Sequence, residues 1–295
     1  MKRVIGLFLA LAMPAQEARS DEIVFSLYEK MMAQEVALLG LSPQQRSEEL
    51  SRTYDSIIEI SAFRDECNHV AVEKLDDVYS ATALMALYRR DVEWVGRIQC
   101  LHASMVASGK AEPRHHRKLH GLLIAIRSFG QANDLRQRFA IDVPVLPSLA
   151  AVAGDGMTVI GMADRVPAKR MVLSPHPDSG IQVIAMVHPL CGFSKRALGS
   201  ILSDPRYAWL RPYLQLVVPR EPMWSESAIR SWNEQHPDHP MFAQDMGKVW
   251  IPMDTLETPV FHLLHKGNLI VSTTGWKGDG EELAVVRRSL EQLER

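Results

Sequence analysis

Of the three cysteines in the chain, Cys191 occupies the position with the clearest chemical meaning. It follows the apolar run Ile181 to Val187 and the break His188-Pro189, and it opens the tetrapeptide Cys191-Gly192-Phe193-Ser194. The run reads as a buried strand. Beyond it, Ala197, Leu198, Ile201 and Leu202 recur at helical spacing, while Lys195 and Arg196 fall off that face. The cysteine is therefore expected where a strand hands over to a helix. Unpaired N–H groups and the positive end of the helix dipole favour an anion there, so the thiol should titrate below its free value of about 8.5. The thiolate is the nucleophile. Ser194, about one turn on, is placed to hydrogen-bond Cys191 as a thiolate or as a mixed disulfide. The alternative, an inert buried cysteine, is common for this residue type, but the position argues against it.

A strand, a proline and then Cys-x-x-Cys or Cys-x-x-Ser opening a helix resembles the thioredoxin-like superfamily. Its second signature is a proline before a late strand, and Glu257-Thr258-Pro259-Val260-Phe261 supplies one. The resemblance implies that Pro259 follows a cis peptide bond and faces the cysteine, with the backbone at Thr258 pairing with a substrate chain. Gly192, Phe193, Thr258 and Pro259 would then border the substrate. The segments His262 to His265 and Leu269 to Thr273, joined by Lys266-Gly267-Asn268, read as a β-hairpin, and Glu281 to Leu293 as a closing helix. The resemblance covers residues 153–295 and says nothing of residues 21–140.

At the start of the chain, Met1-Lys2-Arg3 is basic, Val4 to Met13 is apolar but too short to span a bilayer, and Ala18-Arg19-Ser20 offers small residues for cleavage. Residues 1–20 are expected to be a signal peptide, and the mature protein to be periplasmic or secreted with no integral membrane segment. Cleavage would remove Lys2, Arg3, Arg19 and Glu17, moving the formal charge from −2 to −4. That balance argues against a nucleic-acid partner.

Residues 21–140 read as successive helices. Asp21 to Leu39 carries one apolar face and stops at Gly40; Ser42-Pro43 opens a second helix expected to reach Asn68. Val78 to Arg90, Val92 to Ser108 and a helix opened by Glu112-Pro113 follow. Alanines around Ala81 to Ala86 allow close helix packing. Ile141-Asp142-Val143-Pro144 and the residues to 152 form the expected linker. The predicted architecture is thus multi-domain, α and then α/β: an all-helical domain over 21–140, the linker 141–152, and a thioredoxin-like domain over 153–295 with a central mixed sheet flanked by helices. Met157 to Met162 and Arg170 to Ser174 should add an edge hairpin. Residues 221–253 read as an insertion, with Ser225 capping a helix; in the family such insertions often cap the groove.

Three cysteines in an exported chain divide most simply into a structural disulfide, Cys67–Cys100, and a free reactive Cys191. A loop of that size contributes roughly 3–4 kcal/mol if unstrained. The other arrangement has Cys67 or Cys100 resolving a mixed disulfide at Cys191. His188 is expected either to stabilise the thiolate when protonated or to be a surface turn residue. His115, His116 and His120 sit among Arg114, Arg117 and Lys118, where positive neighbours oppose a cation, and read as a solvated helix face. His236 and His239 lack a third ligand, so no metal site is assigned.

With serine in place of a second cysteine, the mixed disulfide must be released by a thiol from substrate, glutathione or a partner protein. The leading expectation is an exported monothiol exchange protein of reductase, isomerase or deglutathionylating type, with Cys191 and Ser194 as its catalytic residues. No cofactor is expected, with glutathione as a candidate co-substrate and an exported protein as substrate or redox partner. The alternative is a non-catalytic thioredoxin-like adaptor or chaperone. A third reading starts from Cys-Gly-Phe-Ser itself, which resembles monothiol glutaredoxins that hold an iron–sulfur cluster. Ser272-Thr273-Thr274-Gly275-Trp276 replaces the paired glycines of that pattern, and the export signal suggests another compartment.

Overall fold

The structure, a computed structural model, describes residues 26–58, 70–152, 156–163, 166–255 and 257–295. The expected signal peptide and Cys67 lie outside the described residues.

Six helices come first: α1 (Leu27–Ala37), α2 (Pro43–Asp55), α3 (Leu75–Arg89), α4 (Val92–Ala107), α5 (Pro113–Ala125) and α6 (Phe129–Arg138). Their starts follow from local chemistry. Ser26 and Ser42 each make a reciprocal capping box, with Glu29 and Gln45, and Asp91 accepts the Trp94 N–H. Pro43 and Pro113 sit in first turns, where the missing N–H costs nothing. The second helix is shorter than expected, because the backbone turns at Ser56 and both Ile57 and Ile58 donate to the Tyr54 carbonyl. Residues 59–68 of that expected helix lie outside the described residues. Ala81, Ala83 and Ala86 are fully or almost fully buried in α3, so small side chains do allow its close packing.

After α6 the chain runs extended but anchored. Asn133 exchanges two hydrogen bonds with the backbone of Leu146, and Arg136 Nε donates to Val143 O at 2.6 Å. The sheet then begins. Its strands are β1 (Thr158–Gly161), β2 (Lys169–Val172), β3 (Ile181–Met186), β4 (Leu214–Val218), β5 (Met241–Gln244), β6 (Val260–His265) and β7 (Asn268–Thr274). They lie in the order β2-β1-β5-β4-β3-β6-β7. Helices α7 (Gly192–Ser203), α8 (Glu226–Gln235) and α9 (Ala284–Leu293) follow β3, β4 and the β6–β7 hairpin respectively.

Strand β3 is central, parallel to β4 and antiparallel to β6. All six of its residues are buried, as a strand covered on both faces requires. Ile181, Val183 and Ala185 face a large core shared with Ala197, Leu198 and Ile201 of α7 and Val286 and Leu290 of α9. Ile184 and Met186 face a second core closed by Trp250 and Met253 from a 3-10 turn over Lys248–Met253. An all-helical N-terminal region thus precedes a mixed sheet with helices in the thioredoxin-like arrangement: a strand, the cysteine helix, a parallel strand, then an antiparallel hairpin and a closing helix.

Segment 221–253 does more than cap a groove. Its α8 and β5 form a second parallel crossover from β4, and β5 joins the sheet between β4 and the β1–β2 hairpin. Strand β2 is the edge, as expected for that hairpin. The large core also contains Leu50, Leu101, Leu122 and Phe129, so buried apolar contact runs continuously from the N-terminal helices to the sheet.

Candidate functional site

Sheet register brings the site together. Met186 pairs with Val217 on one side and with Val260 on the other. Because β3 and β4 are parallel and β6 is antiparallel, the segments leaving β3, leaving β4 and entering β6 converge at one edge of the sheet. They carry His188 to Cys191, Pro219 to Met223, and Thr255 to Pro259. A cleft of ≈ 410 Å³ lies between them, lined by residues from all three, Cys191, Glu221 and Thr258 among them.

Cys191 is the N-cap residue of α7 in extended conformation, a free thiol and partly exposed. Its Sγ lies 3.7 Å from the Thr258 carbonyl oxygen, and the Thr258–Pro259 peptide bond is cis. Burial alone would raise the thiol. Against that, the Thr258 side chain, the backbone and hydroxyl of Ser194 and the Phe193 N–H hydrogen-bond the sulfur, bringing it down to about 7. Thr258 therefore offers an acceptor to the protonated thiol and a donor to the thiolate.

Ser194 is fully buried. Its Oγ accepts the His188 N–H at 3.1 Å, so the hydroxyl proton is left to donate to the sulfur. Gly192 and Phe193 are exposed beside the thiol, and the Arg196 guanidinium stacks on the Phe193 ring at 4.7 Å. Leu190 and Met223 complete an exposed apolar margin. Pro259 is buried at the base of the site.

His188 fills neither expected role. Its Nδ1 accepts the Leu190 N–H at 3.2 Å, so that nitrogen carries a lone pair, and its Nε2 faces Glu221 Oε1 at 2.8 Å. This arrangement holds the neutral Nε2–H tautomer, and the ring braces the turn before Cys191 instead of charging the thiolate. Ser225 is the N-cap residue of α8, yet its hydroxyl donates to Glu221 Oε1 at 3.0 Å and caps no helix N–H. Glu221 thus collects two donors at the cleft wall. Sequence reasoning missed it, although a polar residue just past a parallel strand neighbouring β3 lies at the strand ends where α/β sites form.

Cys100 is disulfide-bonded; its expected partner Cys67 lies outside the described residues. The histidines of α5 are not a solvated face. His115 and His120 are buried, and His115 Nε2 faces Asp76 Oδ1 at 2.8 Å. His116 Nδ1 meets His102 Nε2 at 2.7 Å, and burial beside a second imidazole pushes His102 down to about 4. Among the described residues no three His, Cys, Asp or Glu side chains are grouped as a metal site, and no helix is long and apolar enough to cross a membrane.

No protein-family model matches the chain, and no curated protein matches it significantly. Among solved structures it is similar to a thioredoxin-like protein from Bacteroides caccae, at 12% identity and a TM-score of 0.28, over 84% of this chain and 94% of that one.

Proposed function

We propose that the protein is an exported monothiol thiol–disulfide exchange protein acting through Cys191. The observation that carries this reading is a free, partly exposed cysteine at a helix N-cap, drawn to about 7 and facing the carbonyl of Thr258. About half of such a thiol is ionised at neutral pH, which suits attack on a disulfide.

In the proposed cycle the Cys191 thiolate attacks one sulfur of a substrate disulfide. A Cys191–substrate disulfide forms and the second sulfur leaves as a thiolate. Ser194 cannot expel the bound substrate, so a second thiol, from the substrate or a small thiol such as glutathione, attacks the mixed disulfide and restores the Cys191 thiolate. Ser194, Phe193 N–H and Thr258 hold the negative sulfur at both stages. Gly192, Phe193, Thr258 and Pro259 border the incoming chain, and Leu190 and Met223 offer it apolar contact. A Cys67–Cys100 disulfide would brace the helical region and leave Cys191 the sole reactive sulfur.

The test is release of glutathione from a glutathionylated peptide by the mature protein, beside Cys191→Ser. Loss of turnover in the variant, with a trapped peptide adduct on Cys191 in the wild type, supports the reading. Equal turnover in both ends it. If neither protein reacts, the adaptor reading takes its place, with the exposed Leu190, Phe193 and Met223 margin as its binding surface.

A further inference from the structure

The N-terminal helices reach the cleft through one side chain. Arg90 ends α3 in the left-handed conformation, with φ 45°, at a position that ordinarily favours glycine. Its side chain is only 3% exposed. Arg90 Nη1 donates to the carbonyl oxygens of Arg220 at 2.8 Å and Thr255 at 2.9 Å. Those two residues belong to different walls of the Cys191 cleft: Arg220 to the segment leaving β4, Thr255 to the segment entering β6. The link is reciprocal, since Arg220 Nη1 donates to Arg90 O at 2.7 Å, and the two guanidiniums take opposite oxygens of Asp254, at 3.2 and 2.7 Å.

The Thr255 wall leads directly to the thiol. Thr255 Oγ1 accepts the Glu257 N–H at 2.9 Å, and the Glu257 carboxylate is held by Arg46 of α2 at 2.8 Å. The next residue is Thr258, whose side chain lowers Cys191. The other wall abuts the helices as well: a Cβ on Gly121 of α5 would lie 2.8 Å from Pro222 O, so the helix backbone rests against that turn.

We infer that Arg90 is a positioning residue for the exchange reaction, locking both walls of the cleft so that Thr258 stays in hydrogen-bonding reach of the Cys191 sulfur. The N-terminal helices are then part of the reactive site, and a ligand or partner that moved the end of α3 would retune the thiol. This rests on the reading of Cys191 as the reactive group.

The experiment is the pH dependence of Cys191 alkylation by iodoacetamide in the full mature chain, followed on the Cys191 peptide by mass spectrometry. Wild type, Arg90→Gln and Arg90→Lys are compared, with cooperative unfolding as the check that each is folded. Arg90→Gln, which loses the two-carbonyl fork, is expected to raise the midpoint by about one pH unit and slow alkylation at pH 7 about fivefold. Lys keeps the charge but reaches fewer acceptors, so it should restore part of the shift. If the glutamine variant does not fold, the lysine variant alone decides, with a raised midpoint still expected. A wild-type midpoint in a folded Gln variant, or in the Lys variant when Gln fails to fold, overturns the inference. A wild-type protein titrating near about 8.5 would instead remove the reading on which it rests.

Discussion

Ser194 Oγ accepts the backbone N–H of His188 at 3.1 Å from a fully buried position. One hydroxyl therefore ties the turn before the cysteine to the first turn of α7 and keeps its proton for the sulfur. The serine is a fixed part of the thiolate cradle and is closed to substrate.

Replacing it separates these duties. Ser194→Ala should raise the Cys191 alkylation midpoint and destabilise the fold by about 1–3 kcal/mol, because a buried N–H loses its acceptor. Urea unfolding and the alkylation profile read the two effects. Ser194→Cys should create a dithiol that closes to an internal disulfide on mild oxidation, visible as the loss of two hydrogens in mass; a protein that stays fully reduced contradicts the proximity.

Thr258→Val keeps the side-chain shape and removes its hydroxyl. The first-named opposing effect, burial, then meets less resistance, and the thiol should rise from about 7 toward its ordinary value. Alkylation at neutral pH slows several-fold, while the rate well above pH 9 matches the wild type. A variant slow at every pH would point to blocked access instead.

The depressed thiol also links pH to stability. Its folded value of about 7 lies below the ordinary 9.0, so the thiolate contributes stability that is complete above about pH 9 and lost as pH falls toward about 7. The sulfur is largely open to solvent, and screening leaves roughly 1 kcal/mol or less. Wild type should therefore gain on Cys191→Ser between those pH values in denaturant titrations. No relative gain would show that the thiol is not depressed.

His262 acts in the opposite pH range. It lies between Val260 and Leu264 on the sheet face closed by Trp250, with Nδ1 facing Ser272 Oγ at 2.7 Å. Burial pushes it down to about 4 from 6.5. The unfolded chain takes up a proton first, so stability falls as pH drops from about 6.5 to about 4, by about 3 kcal/mol for a shift of this size. His262→Phe should flatten that part of the stability profile; an unchanged slope would assign it to other groups, of which His102 is one.

Much of this was legible in the residue order because it depends on local rules. The burial of Ile181 to Val187, the helix opening at Cys191, the Ser42-Pro43 and Glu112-Pro113 starts and the strand after Pro259 each rest on periodicity, capping or a missing N–H. The same order pointed to a low-pKa thiol, since a helix N-terminus favours an anion wherever it is placed. Local reading failed where a side chain chose a distant partner. Ser225 looks like a cap but bonds Glu221; His188 looks like a cation but braces Leu190; His115 and His120 look solvated but are buried.

What the sequence by itself determined is thus the chemistry at Cys191 and the elements that carry it. Tertiary structure decided the surroundings: segment 221–253 became part of the sheet, Glu221 and Ser225 came to His188, and Arg90 came to rest on two carbonyl oxygens more than a hundred residues away. The physical reason is that hydrogen bonds to backbone carbonyls leave no residue signature. Any residue supplies the acceptor, so only the folded positions of the strands could reveal which ones the arginine holds.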